Sequence, residues 1–378
     1  MCTSRVWLRE WKYGKIEFVK KIVIFPYHPD IITIMSYKDD LKGYSLSGII
    51  SYTDDFLMTQ SLNKTIGSIS NDYLELLDEC DTVIILDNYR GFKFDKYYQV
   101  INDVISLGKE LMITPLACKQ LELDTYKGKY YVLGNNPLEL NYELEGNTRN
   151  VNKILNEIDI PVISVVGEGK NCNKFELQLL LKHVLEREYT IVTISSNPLG
   201  ALFGCFTLPL FFFESIGFEE KIMKFNHWVS EIIKIDSTDV LLLGIPEGIT
   251  PFRKSEFNHF AEYPLVASTA IPIDIAILCM YFIDGTVTKE GLYALAEFCR
   301  QKFNILVAGY TISRVAYLLP SDDIEEISYD YLDDFFLKDY YPEVSGVGLR
   351  MVSMVNRVQA ELSIKECLEI LERNASII

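Results

Sequence analysis

The sequence predicts an α/β protein of two domains with parallel sheets, followed by a long C-terminal helix. Its 378 residues suit two domains of ordinary size. Short apolar runs rich in β-branched residues alternate with helix-period segments along the chain, which is typical of βαβ units. A segment rich in Gly, Asn and Tyr interrupts this alternation at residues 128–158 and predicts a linker. We therefore predict a Rossmann-like domain over 20–127 and a degenerate P-loop-like domain over 159–320.

The first domain begins with an apolar run, KIVIFPY. Four strands are predicted, at Lys21–Tyr27, Ser45–Ser51, Thr82–Asn88 and Glu110–Thr114. Apolar residues at i, i+3 and i+4 predict helices at Asn71–Glu79 and Asp95–Leu107. No G-x-G-x-x-G follows the first strand, so the sequence has no NAD-binding motif of the Rossmann type.

The second domain repeats the pattern with more apolar strands, as expected for a parallel sheet covered on both faces. Its strands are predicted at Ile160–Val166, Thr190–Ser195, Asp239–Gly244, Asp274–Phe282 and Asn304–Gly309. Helices are predicted at Lys174–Glu188, Glu219–Ile235 and Lys289–Lys302.

The end of the chain divides into two segments. Residues 321–343 form an acidic, Tyr-rich arm with nine Asp or Glu and one Lys, which indicates either a solvated surface or a strip that docks a peptide. Residues 344–378 hold the predicted C-terminal helix, at about Gly346–Arg373.

Composition and charge exclude several classes of function. A net charge of −17 repels nucleic acid and anionic lipid, so proteins, peptides or small molecules are the expected partners. No pair among the eight cysteines has C-x-x-C spacing, and no histidine has metal-ligand spacing, so no metal motif is present. The apolar stretches are too short to span a membrane and the N-terminus lacks a signal core, which predicts a cytoplasmic protein.

A phosphate-binding type of loop opens the second domain. The predicted strand Ile160–Val166 runs into GEGKNCNKF and then an amphipathic helix, with Gly167, Gly169, Asn173 and Lys174 at the positions that matter. Glycines let backbone N–H groups face a phosphate, and the first helical turn adds free donors and a dipole. The loop departs from G-x-x-x-x-G-K-[ST], because it is one residue longer, Asn173 replaces Gly, and Phe175 replaces the metal-binding hydroxyl. The other interpretation is a βα turn with an Asn cap.

A second segment, VLLLGIPEG at Val240–Gly248, also lacks a residue that binds Mg²⁺ in P-loop proteins. P-loop ATPases of the deviant type have D-x-P-P-G here. Gly244 stands in place of the Asp and Glu247 in place of the second Pro, whereas Pro246 and Gly248 remain. Two lost Mg²⁺ ligands favour a P-loop fold without hydrolysis. If this strand pairs with Ile160–Val166, then Glu247 and Gly248 lie at the crevice, and Ser196 reaches it from a neighbouring strand end.

Several stretches resemble a bacterial family, the peptide maturation system proteins. They are KIVIFPY, GEGKNCNKFELQLLL, VTISSNPLGALFG, MKFNHWVSEI and DVLLLGIPEGITPF. Members are encoded beside Cys-rich ribosomal peptide precursors and a radical S-adenosylmethionine enzyme. The resemblance implies a role in modifying a small peptide, with the precursor or other maturation proteins as partners, but no catalytic residues to carry over.

Three classes of function therefore stay open. The leading hypothesis is an accessory protein that binds the precursor or a carrier protein and uses the crevice for a phosphate or nucleotide. The alternative is a nucleotide-dependent activating or transfer enzyme that uses Lys174 and Glu247. The third is a structural scaffold.

Overall fold

The structure is a computed structural model, and the ranges that it describes cover most of the chain. They are residues 19–52, 69–70, 73–88, 92–134, 154–234, 237–250, 257–283, 287–318, 328–332, 337 and 350–375. The chain divides into two compact units, residues 1–146 with 198–209, and residues 147–197 with 210–378. No helix in these ranges is both long and apolar enough to cross a membrane.

The first unit is a parallel sheet with helices in the connections. Its elements are β1 Lys20–Phe25, α1 Asp30–Ser36, β2 Tyr44–Ile50, β3 Ile69–Ser70, α2 Leu74–Glu79, β4 Thr82–Ile85, α3 Phe94–Ser106, β5 Glu110–Ile113, α4 Pro115–Gln120 and β6 Tyr131–Val132. The order β3-β2-β1-β4-β5-β6 is that of the doubly wound dinucleotide-binding fold. β6 lies inside the predicted linker, where Tyr131 and Val132 pair with β5.

The second unit carries the candidate site. Its elements are β7 Val162–Gly167, α5 Lys174–Leu185, β8 Ile191–Ser195, α6 Phe218–Ile232, β10 Val240–Gly244, α7 Glu262–Ala270, β11 Ile275–Met280, α8 Lys289–Phe303, β12 Val307–Ile312, β13 Val315–Leu318, β14 Ser328–Tyr331 and α9 Arg357–Ala375. A further strand, β9, spans Phe206–Thr207 and belongs to the residues assigned to the first unit. Parallel pairing places β12, β11, β7, β10 and β8 side by side in that order. Strands β7, β10 and β11 are buried throughout, in agreement with their unbroken apolar sequences.

Two predictions for the end of the chain need correction. The C-terminal helix was placed too early, because α9 begins at Arg357 and not near Gly346. Residues 350–352 are extended instead, and their backbone pairs with Tyr310 on β12: Tyr310 N–H donates to Arg350 O, and Val352 N–H donates to Tyr310 O. Part of the predicted acidic arm is a strand, β14, which pairs antiparallel with β13. Most other residues of the arm lie outside the described ranges.

Candidate functional site

The loop between β7 and α5 has the backbone of an anion-binding nest. Asn171 and Asn173 both have positive φ, 53° and 57°. Alternation of left-handed and other conformations turns successive N–H groups toward one concave side. In the described part of the chain, five of these groups donate to no protein acceptor, those of Gly169, Lys170, Asn171, Asn173 and Lys174. The loop therefore presents a row of donors that no described residue satisfies and that a ligand or solvent can bind.

Lys174 reaches back under this loop from the first turn of α5. Its side chain is largely buried, and Nζ donates to Gly169 O and to Glu247 O, each at 2.5 Å. The ammonium therefore ties the loop to the segment that follows β10. An ammonium has three N–H donors, and the third contacts only the Cys172 thiol at 3.8 Å, a weak acceptor that a ligand oxygen can replace.

Glycine is required where this loop meets its neighbours. A Cβ on Gly167 would come within 2.8 Å of Lys174 Cδ and 3.0 Å of its Nζ. A Cβ on Gly248 would overlap Glu168 O and lie 2.5 Å from the Cα of Gly169. Larger side chains would push the loop away from β10.

Glu247 stands beside the loop at the carboxyl end of β10. Its Oε1 lies 3.5 Å from Lys170 Nζ, and its Oε2 is buried without a hydrogen-bond partner among the described residues. The backbone of Glu247 is left-handed, with φ 55°. The strand pairing on which its predicted position depended is present, because Leu241–Gly244 on β10 run parallel to Val162–Val165 on β7.

The loop also rests on a strained turn before α7. Asn258, His259, Phe260 and Ala261 are four consecutive non-glycine residues with left-handed backbone. Left-handed helical backbone costs about 1–2 kcal/mol per residue. Asn258 fixes the turn to the loop, since its Nδ2 donates to Glu168 O at 3.1 Å and to Thr250 O at 2.7 Å. Strain of this kind is frequent at ligand sites.

Neither lost metal position carries a side chain that could bind a metal ion. Phe175, in place of the hydroxyl residue, is buried in the domain core. A Cβ on Gly244, in place of the Asp, would lie 2.8 Å from the side-chain amide of Gln178. That amide is itself held, because Nε2 donates to Ile194 O at 2.8 Å. Across the described residues, no group of three or more His, Cys, Asp or Glu side chains is arranged to hold a metal ion.

Six of the seven predicted site residues lie together, and Ser196 lies apart. Ser196 follows β8, and β10 stands between β8 and β7. Within the described ranges its side chain makes no hydrogen bond to the loop. Ser196 was predicted at the site because it follows a strand of the same sheet. The sequence does not show the order of the strands, so it does not show how far apart two strand ends lie.

Sequence reasoning missed a tyrosine that braces the loop from β11. The hydroxyl of Tyr281 donates to Lys170 O, and its ring fills the space in front of Gly169, where a Cβ would lie 3.0 Å from Cζ. Two more rings, of Tyr317 on β13 and Tyr329 on β14, lie 4.7 and 6.1 Å from that of Tyr281. Thus β14, in the predicted acidic arm, belongs to the wall of the site. Tyr281 lies within the predicted strand Asp274–Phe282, but only the fold shows what its side chain contacts.

Two carboxylates near the loop also escaped prediction. Burial raises the pKa of Glu168, although its Oε2 accepts the backbone N–H of Tyr281 at 3.2 Å, which lowers that pKa. Glu176 in α5 is buried, and it accepts from Arg314 at 2.9 Å and from Asn173 Nδ2 at 2.9 Å. This buried ion pair connects the start of α5 to the turn before β13.

The thiol of Cys172 faces the inside of the loop. It is fully buried and donates to Gly169 O at 3.1 Å. The neighbouring thiol of Cys279 on β11 is also buried, and burial raises its pKa well above the usual value. Both positions therefore fill space beneath the loop.

Comparisons with known proteins support the fold. No family model matches the chain, and no curated protein matches it. Among solved structures, it is similar to the crystal structure of a DUF1611 family protein from Anabaena variabilis, with a TM-score of 0.59 over 93% of this chain and 99% of that one. The identity is 11%, so the likeness concerns the fold alone. It confirms the predicted class, α/β with two parallel sheets.

Proposed function

We propose that this protein binds a phosphate-bearing ligand in the loop between β7 and α5, as an accessory protein in the maturation of a ribosomally made peptide. The observation that carries the proposal is the row of five unsatisfied backbone N–H groups between Gly169 and Lys174. Such a row favours an anion whose oxygens accept several bonds at once, which phosphate does. The ammonium of Lys174 adds a full positive charge.

The same geometry argues against metal-dependent hydrolysis. Phosphoryl transfer needs a cation that neutralises charge on the transferring group. Phe175 and Gly244 supply no ligand for that cation, and Gln178 occupies the space of the second. The phosphate site then serves binding and recognition. The peptide context comes from the sequence resemblance, which makes the precursor peptide or a partner maturation protein the expected macromolecular partner.

The test is calorimetric titration of the full chain with inorganic phosphate and with ATP, with and without Mg²⁺, combined with a phosphate-release assay. We expect binding that does not depend on Mg²⁺, and no turnover. If neither phosphate nor ATP binds at millimolar concentration, the loop is a capped βα turn with a structural role only.

A nucleotide-dependent activating or transfer enzyme is the second candidate. It is favoured by the retained Lys174 and by the Glu247 carboxylate, which stands 3.5 Å from Lys170 Nζ at the edge of the loop. Mg²⁺-dependent ATP turnover that is lost in Lys174→Met would establish this candidate and refute the accessory role.

A further inference from the structure

Two buried side-chain oxygens beside the loop accept no hydrogen bond from any described residue. They are Oε2 of Glu247 and Oδ1 of Asn258. Asn258 is 1% exposed, so water does not readily satisfy its oxygen. Buried polar atoms in proteins nearly always have partners, and an unpaired acceptor indicates a missing donor.

The orientation of the Asn258 amide is fixed by its nitrogen. Nδ2 donates to two carbonyl oxygens, those of Glu168 and Thr250, and a carbonyl oxygen cannot donate. The amide is therefore not reversed, and its other end is an acceptor. Glu247 is similar, because Lys170 Nζ lies 3.5 Å from Oε1 and leaves Oε2 without a partner.

The two residues that carry these acceptors both border Gly248, which lies against the loop at Glu168 and Gly169. Glu247 directly precedes it in the chain. The amide nitrogen of Asn258 lies 2.5 Å from the position of a Cβ on Gly248, and the Cα of Gly169 lies equally close. The loop thus offers free N–H donors, and the adjoining segment offers free acceptors. A lone phosphate satisfies the donors and leaves the acceptors unpaired.

We propose that Glu247 and Asn258 form an ammonium-binding subsite, so that the ligand carries a primary ammonium group close to its phosphate. An ammonium supplies three N–H donors and a positive charge to a site with one carboxylate and one amide oxygen. The half-exposed Lys170 already presents such a group to Oε1. This inference rests on the proposed phosphate site and names the class of ligand that the site selects.

The test compares two matched probes, O-phosphoethanolamine and propyl phosphate, which differ by an ammonium in place of a methyl group. Each is titrated calorimetrically into the full chain without divalent cations. We expect O-phosphoethanolamine to bind at least tenfold more tightly. In Glu247→Gln the preference should fall to about twofold or less, and propyl phosphate should bind more tightly because a nearby negative charge is gone. The exposed Glu290→Gln on α8 serves as the control and should keep the wild-type preference.

Three results would overturn the inference. Equal affinity for the two probes in the wild type refutes the ammonium subsite and leaves the phosphate site standing. Mg²⁺ could instead increase the affinity for propyl phosphate in the wild type but not in Glu247→Gln. That result would assign the two acceptors to a metal ion. If the wild type binds neither probe nor inorganic phosphate, the phosphate site itself is wrong.

Discussion

Replacing Lys174 by Met should weaken phosphate binding far more than replacing Lys170. Lys174 is 9% exposed, and two of its three donors are held at 2.5 Å by Gly169 O and Glu247 O, whereas the third contacts only the Cys172 thiol at 3.8 Å. The remaining donor and the charge would make one charge-assisted bond to phosphate, worth about 1.5–3 kcal/mol. At 1.4 kcal/mol per factor of ten, that loss is about 10- to 150-fold in Kd.

Lys170 provides the matched control. Its side chain is 51% exposed and lies 3.5 Å from the Glu247 carboxylate, so its contribution should not exceed that of a surface ion pair, about 1 kcal/mol or fivefold. The assay is calorimetric titration with inorganic phosphate at low salt, and circular dichroism verifies that both variants fold. Comparable losses in the two variants would mean that the loop attracts anions through its general charge, which would refute a direct bond between Lys174 and the phosphate.

Two further predictions concern stability. Glu168→Gln should raise the melting temperature at neutral pH and have little effect near pH 4. Burial raises the pKa of Glu168 in the folded state above the usual pKa of 4.5. The wild type therefore loses stability as the pH rises from 4.5 through that raised pKa. A pH series of melting curves measures the difference, and a constant offset between the variants would contradict this cause. Arg314→Met should lower the free energy of unfolding, measured in urea, by about 3–5 kcal/mol, because Glu176 is left buried without this ion-pair partner. Arg300→Met breaks an exposed ion pair with Glu297 and should lower it by no more than about 1 kcal/mol. Equal effects would show that burial does not decide the strength of the pair.

The fold was largely predictable because its signals are local. Apolar, β-branched runs gave the positions of the long strands, and β7, β8 and β10 begin and end within two residues of the prediction. Helices α5 and α8 begin at the predicted residues, since their first turns follow clear breaks in the apolar pattern. The predicted boundaries were wrong where hydrogen bonds to a neighbouring strand decide the conformation. Residues 350–352 and 328–331 are extended because strands β12 and β13 supply hydrogen-bond partners for their backbone.

The candidate site was predictable only along one stretch of chain. The loop from Gly167 to Lys174 follows its strand directly, so its residues are close whatever the rest of the fold does. Glu247 and Gly248 were found through a sequence analogy, and the adjacency of β7 and β10 was needed to bring them to the loop. Ser196 was assigned to the site only because it follows a neighbouring strand, and that strand, β8, lies on the far side of β10.

By itself, then, the sequence determined the α/β class, the positions of most strands and helices, and a loop whose glycines and lysine suit a phosphate. The order of strands is a matter of long-range pairing, which no local pattern encodes. Only the tertiary structure could show that Tyr281 braces the loop, that Gln178 fills the place of a lost metal ligand, and that Asn258 and Glu247 keep acceptors without partners beside it. These facts depend on which side chains meet in space, and residues more than 70 positions apart in the chain meet at this site because parallel strands end at the same edge of a sheet.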